Sequence, residues 1–344
     1  RARAVGIWGA AFGVAMAAGP LLGGLLVQSV GWRAIFWVNI PVGIVAFALT
    51  ARFVHESRGE RARPFDPLAQ GLVIAALFAL TSAVIDGRHA GWTSWPIALG
   101  FATAIASAIA LVAWEARHPE PMLDPRFFRS LPFAAATLVA VLAFASFSGF
   151  LFLNSLYLQE ARGMSAARAG LATLPIALAL MVCSPVSGRL VAAGRARLAL
   201  VVAGTAMATG ALLLTALAED TTLSYLLAAY GIFGVGLGMV NAPITNTAVS
   251  GMPRSRAGIA SAVASTSRQV GASLGVALSG ALAGTGIEST RGADFAAATH
   301  VFFWVSAGLG TAIVVLGIAS TSARARASAL SVANLLDKPA AIET

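Results

Sequence analysis

Apolar stretches about 20 residues long alternate with short polar connections from one end of the chain to the other. About 20 residues carry an α-helix across about 30 Å of hydrocarbon. The pattern therefore predicts ten spans, near residues 4–28, 33–54, 68–86, 95–114, 132–155, 167–187, 198–217, 223–248, 259–283 and 300–319. The stretches lack the period-2 alternation of a membrane barrel strand. The first is also longer than the apolar core of a secretory leader and is followed at once by a second span. The expected fold is all-α, polytopic and transmembrane.

Composition agrees: 58% hydrophobic and 11% charged residues exclude a soluble domain, which needs a far more charged surface. The net charge of +9 would suggest nucleic acid in a soluble protein, but here it sorts by side. Taking alternate connections as one compartment, Arg33, Arg88, Arg162, Arg168 and Arg291 lie on one side. Arg1, Arg3, Arg52, Arg58, Arg61, Arg63, Arg117, Arg126, Arg129, Arg189, Arg195, Arg197, Arg254, Arg256, Arg324, Arg326 and Lys338 lie on the other. The positive-inside rule makes that larger group cytoplasmic, and with it both chain ends. A multi-pass protein of the cytoplasmic membrane is expected, with a lipid bilayer and no nucleic acid as surroundings.

Catalytic signatures are missing from the sequence. There is no Walker-type phosphate loop, serine nucleophile elbow or His-Glu-x-x-His pattern, so no enzyme, cofactor or metal is expected. Cys183 stands alone in an apolar span and reads as packing. His55, His89, His118 and His300 have no second ligand at helical spacing.

The first span holds the sharpest motif: Gly6, Ala15, Gly19, Pro20, Gly23 and Gly24. Small residues four apart, such as Gly19 and Gly23, let a neighbouring backbone approach, and Pro20 removes a helical hydrogen bond. Similar pairs recur at Gly9/Gly13, Gly234/Gly238, Gly271/Gly275 and Gly280/Gly284, so any one pair could be ordinary packing. The whole string resembles the antiporter motif of the major facilitator superfamily, whose fifth helix carries a Gly-Pro-x-x-Gly-Gly core. Ala15 stands where that family more often has glycine.

Gly31, Trp32, Arg33, Phe36, Asn39, Pro41 and Gly43 then look like the next helix of the fourteen-helix drug:proton antiporter family. Tyr157, Leu158, Gln159, Gly163, Ser165, Ala169, Gly170, Leu171 and Pro175 resemble its segment joining the first two helices of the C-terminal bundle. Gly188, Arg189, Gly194 and Arg195 look like a degenerate cytoplasmic loop motif, and Gly258, Ser261, Arg268, Gln269, Gly271 and Gly275 like its penultimate helix.

The resemblance implies that the ten spans are helices five to fourteen of a major facilitator bundle, N-terminally truncated. Residues 1–56 would end the N-terminal bundle and 57–130 would hold two inserted helices. Residues 131–320 would form the C-terminal six-helix bundle, with 321–344 as a cytoplasmic tail. It implies proton-coupled export of a small amphipathic or cationic drug; the oligomeric state is left open, with a monomer favoured. A dedicated metabolite or antibiotic exporter, and a non-transporting scaffold or remnant, are the alternatives. The main proton-linked acid of the family would lie in the first four helices. Here every acidic residue falls in a loop or near a predicted span end, and Asp86 and Glu160 are the nearest coupling candidates.

Polar residues within spans are candidates for lining a substrate cavity: Asn154 and Tyr157 at i, i+3, and Asn241, Thr245 and Asn246 around Pro243. Interhelical hydrogen bonding would explain them equally. Arg268, beside Gln269, is the clear intramembrane charge. It reads either as a gate or substrate-binding cation, or as an interfacial side chain on a helix that begins later than drawn.

Overall fold

The computed structural model describes residues 2–54, 66–118, 121, 123–218, 220–250, 257–283 and 293–337. Expectations resting on Arg58, Arg61, Arg63, Arg254, Arg256, Arg291 and Lys338 fall outside the described residues. Among the described residues every regular element is helical. In chain order they are α1 (Ala2–Ser29), α2 (Ala34–Trp37), α3 (Asn39–Phe53), α4 (Pro67–Ala90) and α5 (Trp95–Arg117). A 3₁₀ turn (Pro125–Arg129) leads into α6 (Leu131–Leu156), which runs into a π turn (Tyr157–Ala161). Then follow α7 (Ala166–Ala172), α8 (Leu174–Ala192), α9 (Ala196–Leu214), α10 (Leu223–Val249), α11 (Ala257–Ala283), α12 (Ala293–Ser320) and α13 (Ala323–Asp337).

Among the described residues eight segments are long and apolar enough to cross a membrane, and each matches one of the ten expected spans. The other two expected spans are also helices, α1 with 28 residues and α11 with 27. Many α1 side chains lie outside the described residues. The polar run from Ser265 to Gln269 dilutes the apolar character of α11. Two spans are broken: α2 and α3 meet at Val38, and α7 and α8 meet at Thr173, just before Leu174 and Pro175. A proline cannot donate to the preceding turn and disfavours a helical residue before it, which accounts for the second break.

Local chemistry sets the ends. Asp66 caps α4 by accepting from the Ala69 amide at 2.9 Å, with Pro67 in the first turn. Gly91 ends the same helix at φ +85°, a left-handed conformation open to glycine without strain.

Helices α6 to α12 pack into one bundle with a regular plan: α6 pairs with α11, α8 with α10, and α9 with α12. Exchanging α6 for α10, α8 for α11 and α9 for α12 maps these pairs onto one another, the pattern of an internal three-plus-three repeat. Glycine makes both members of the exchanged pair. A β-carbon on Gly234 would come within 2.7 Å of the Ile176 backbone, and one on Gly238 within 2.8 Å of Cys183, both on α8. Gly271 and Gly275 press in the same way on the backbone of α6 at Val141 and Ala145. In lipid, close packing of this kind carries helix association, because the bilayer supplies no hydrophobic drive between apolar helices.

The bundle core is aromatic: Phe150 stacks on Phe233 with ring centroids 5.0 Å apart and meets Tyr230 edge-on. Around it, α1 lies against α7 and α8, while the α4/α5 hairpin meets α11 through α4. Helix α13 folds back on the 3₁₀ turn and the start of α6, where Ser328 Oγ accepts from the Leu131 amide at 3.1 Å.

Candidate functional site

Helices α10 and α11 are adjacent in the bundle yet touch sparsely, and each keeps an exposed face. On α10, beyond the internal Pro243, Thr245 and Asn246 are exposed and Asn241 is half-buried. On α11, Ser265, Gln269 and Ser273 are exposed at i, i+4 and i+8, a polar stripe along one face. The opposite face, including Ala260, Ala264 and Gly271, is buried.

Arg268 sits between these faces. Its Nη2 donates to Thr245 Oγ1 at 2.7 Å, and its guanidinium carbon lies 5.9 Å from the centroid of the Phe144 ring on α6. Thr245 in turn donates to the Asn241 carbonyl at 3.4 Å, while Asn241 Nδ2 donates to the Leu237 carbonyl at 3.3 Å. Arg268 Nε is buried with no hydrogen-bond partner among the described residues. The helix carrying it begins at Ala257, earlier than an interfacial reading requires. Eleven residues at about 1.5 Å each put Arg268 about 16 Å along the axis. A cation at such depth costs about 2.5–3.5 kcal/mol on insertion scales unless it faces a cavity or a partner.

Asn154 and Tyr157 do not join this face. Asn154 is 3% exposed and accepts from the Tyr230 hydroxyl inside the core. Tyr157 is buried and donates to the Ala218 carbonyl at 2.6 Å. The reason is packing at long range: both residues point toward α10 and the loop before it. Two groups that the sequence placed only as a loop cation and a histidine without a second ligand complete this end of the bundle. Arg162 Nη1 donates to the Thr221 carbonyl at 2.8 Å, and His300 Nε2 lies 2.7 Å from the Leu217 carbonyl. Together they pin the α9–α10 loop to the π turn and to α12. Asp86 is exposed near the end of α4, and Glu160 is exposed in the π turn.

The glycine motif meets its neighbour through different members than the spacing suggested. A β-carbon on Gly24 would lie 2.5 Å from the Ala166 carbonyl oxygen, and one on Gly170 would lie 2.5 Å from that of Pro20. Gly19 and Gly23 have no described atom within 4 Å of that position. The contact stripe of α1 is thus Pro20 and Gly24, one residue round from the expected pair. Ala15 is exposed, and Gly6 lies where the side-chain surroundings fall outside the described residues.

Comparison with known proteins decides the family, since residues 1–276 match the Major Facilitator Superfamily. The chain belongs to the major facilitator superfamily. It is similar to the multidrug resistance protein Stp of Mycobacterium tuberculosis, at 37% identity over 84% of this chain and 54% of Stp. The tetracenomycin C resistance and export protein of Streptomyces glaucescens is 36% identical over 81% of this chain and 52% of its own length. The multidrug efflux pump LfrA of Mycolicibacterium smegmatis is 32% identical over 82% and 56%. The chain therefore spans about half the length of these curated relatives. The drug-exporter family recognised from the motifs agrees with them. The superfamily is one of multi-pass membrane transporters, not of enzymes.

Proposed function

We propose that the protein exports a small amphipathic compound across the cytoplasmic membrane in exchange for protons. The observation that carries this reading is the polar stripe of α11 with Arg268 beside it. A membrane-length helix that presents hydroxyls, an amide and a guanidinium on one open face suits a wet substrate path, not lipid. Thr245, Asn246, Arg268 and Gln269 would line that path, with Asn241 behind them. Both chain ends would be cytoplasmic, the larger basic group holding them there.

Residues 131–320 would move as one bundle, rocking against the part of the protein that includes α1. Residues 57–130 would ride with the bundle through the contact of α4 with α11, and the protein would work as a monomer. Asp86 and Glu160, the proton-coupling candidates, lie exposed at helix ends. The hydrogen-bonded Arg268–Thr245–Asn241 chain favours a second reading, export of one dedicated metabolite or antibiotic, because fixed polar groups select more strongly than an apolar cavity.

Expression in a pump-deficient host tests the proposal. Cellular accumulation of amphipathic dyes should fall several-fold on expression and return when a protonophore collapses the gradient. Unchanged accumulation across a panel of dyes and antibiotics at normal membrane levels would leave the scaffold reading in its place.

A further inference from the structure

We infer that Arg268 is the receptor for an acidic group on the transported compound, so that the favoured substrates are amphipathic acids, carrying a carboxylate or a comparable oxyanion, in place of the cationic class expected from resemblance. The inference rests on the transport reading above and names the chemistry of its site. The guanidinium is held at membrane depth by one hydroxyl, that of Thr245, and by the Phe144 ring, and both are neutral. Its Nε has no acceptor, and no described residue accepts from Nη1.

Among the described residues no carboxylate pairs with Arg268. Helices α6, α10 and α11 contain neither Asp nor Glu. Of the other elements packed on α11, α4 bears Asp86 and α12 bears Asp294, both at the end of the bundle away from the start of α11. A half-buried cation whose Nε is closed to solvent, and which has no anionic partner among the described residues, is well satisfied by an anionic ligand, and the planar fork of arginine suits an oxyanion above other groups. Ser265, Gln269 and Ser273 on the same face add neutral donors and acceptors along which the remainder of an amphipathic molecule could lie.

The test is equilibrium binding to the purified complete natural protein of one xanthene dye in three forms: the free carboxylate, its neutral methyl ester and a cationic amine analogue. The carboxylate form should bind tightest. Arg268→Gln should weaken it about tenfold or more while leaving the ester within about twofold, and Arg268→Lys should recover part of the loss. Unchanged ester binding shows that the variant is folded.

Tightest binding of the cationic form, or equal carboxylate binding by wild type and Arg268→Gln, would overturn the inference. So would parallel loss of all three dyes in Arg268→Gln with normal folding by circular dichroism, which would mean that Arg268 pairs with a carboxylate of the protein itself. Transport of the same dyes into inverted proteoliposomes separates the two claims: Arg268-dependent binding without movement under a proton gradient would sink the exporter reading and leave this one standing.

Discussion

Buried polar pairs decide the residue-scale behaviour of the bundle. Tyr230 is fully buried and donates to Asn154, so Tyr230→Phe leaves the Asn154 carbonyl oxygen without its donor. The expected loss is about 1–3 kcal/mol, above the average of about 0.6 kcal/mol for an interhelical bond in lipid, because the site is closed to water. Unfolding in mixed micelles would measure it, and a double-mutant cycle with Asn154→Leu should show positive coupling. Asp66 acts at the edge of the membrane. The Ala69 amide and the Trp114 indole both donate to its carboxylate and hold its pKa below the ordinary carboxylate value. A lowered folded-state pKa means that the contribution is fully present above the ordinary value and is lost as pH falls through the lowered one. The α4–α5 clasp should thus be indifferent to pH near neutrality and open only in acid, seen as a change in emission absent from Trp114→Phe. Arg268 was legible because a charge in an apolar run stands out. Thr245 was named as a candidate too, but its bond to Arg268 was not legible, since 23 residues and a helix turnaround separate them.

Helix interfaces show where spacing arguments work and where they fall short. The lengths of the apolar runs located the eight membrane-length segments, because bilayer thickness leaves little freedom, and the other two runs are also helices. The pairs Gly234/Gly238 and Gly271/Gly275 do meet backbones, whereas in α1 the contact shifted from Gly19 and Gly23 to Pro20 and Gly24. Periodicity says that small residues share a face; which face turns to the neighbour depends on how the helix is rotated, and rotation is set by the partner. Gly24→Leu and Gly170→Leu should therefore each cost about 1–3 kcal/mol by overpacking, and more than Gly19→Leu, measured as thermal stability in detergent. The stripe of Ser265, Gln269 and Ser273 was readable in principle as an i, i+4, i+8 polar series. It was obscured because serine is common at helix–helix contacts, and only exposure distinguishes the two uses. The π turn at Tyr157 had no sequence signal of its own, as insertion of one residue into a helix follows from tertiary packing.

On the scale of the whole molecule, the paired plan ties α6 to α12 together, and α13 folds back on the 3₁₀ turn and the start of α6. Ala325, Ala329 and Val332 form the buried face of α13, three and four residues apart. Val332→Asp should release the helix, and limited trypsin digestion at Arg324 or Arg326 should then run at least about tenfold faster, as expected for an opening equilibrium moved by about 1.4 kcal/mol. The contact of α1 with α7 has a different consequence. Pro20 and Gly24 on one side, Ala166 and Gly170 on the other, touch backbone to backbone in reciprocal fashion. A slide of one turn, about 5.4 Å, would drive Gln28 or Met16 of α1, or Leu174 of the facing segment, into seats that have no room for a side chain. The seam would therefore act as a stop against travel along its length, so that any relative movement of α1 and α7 would have to come from a change of angle between them.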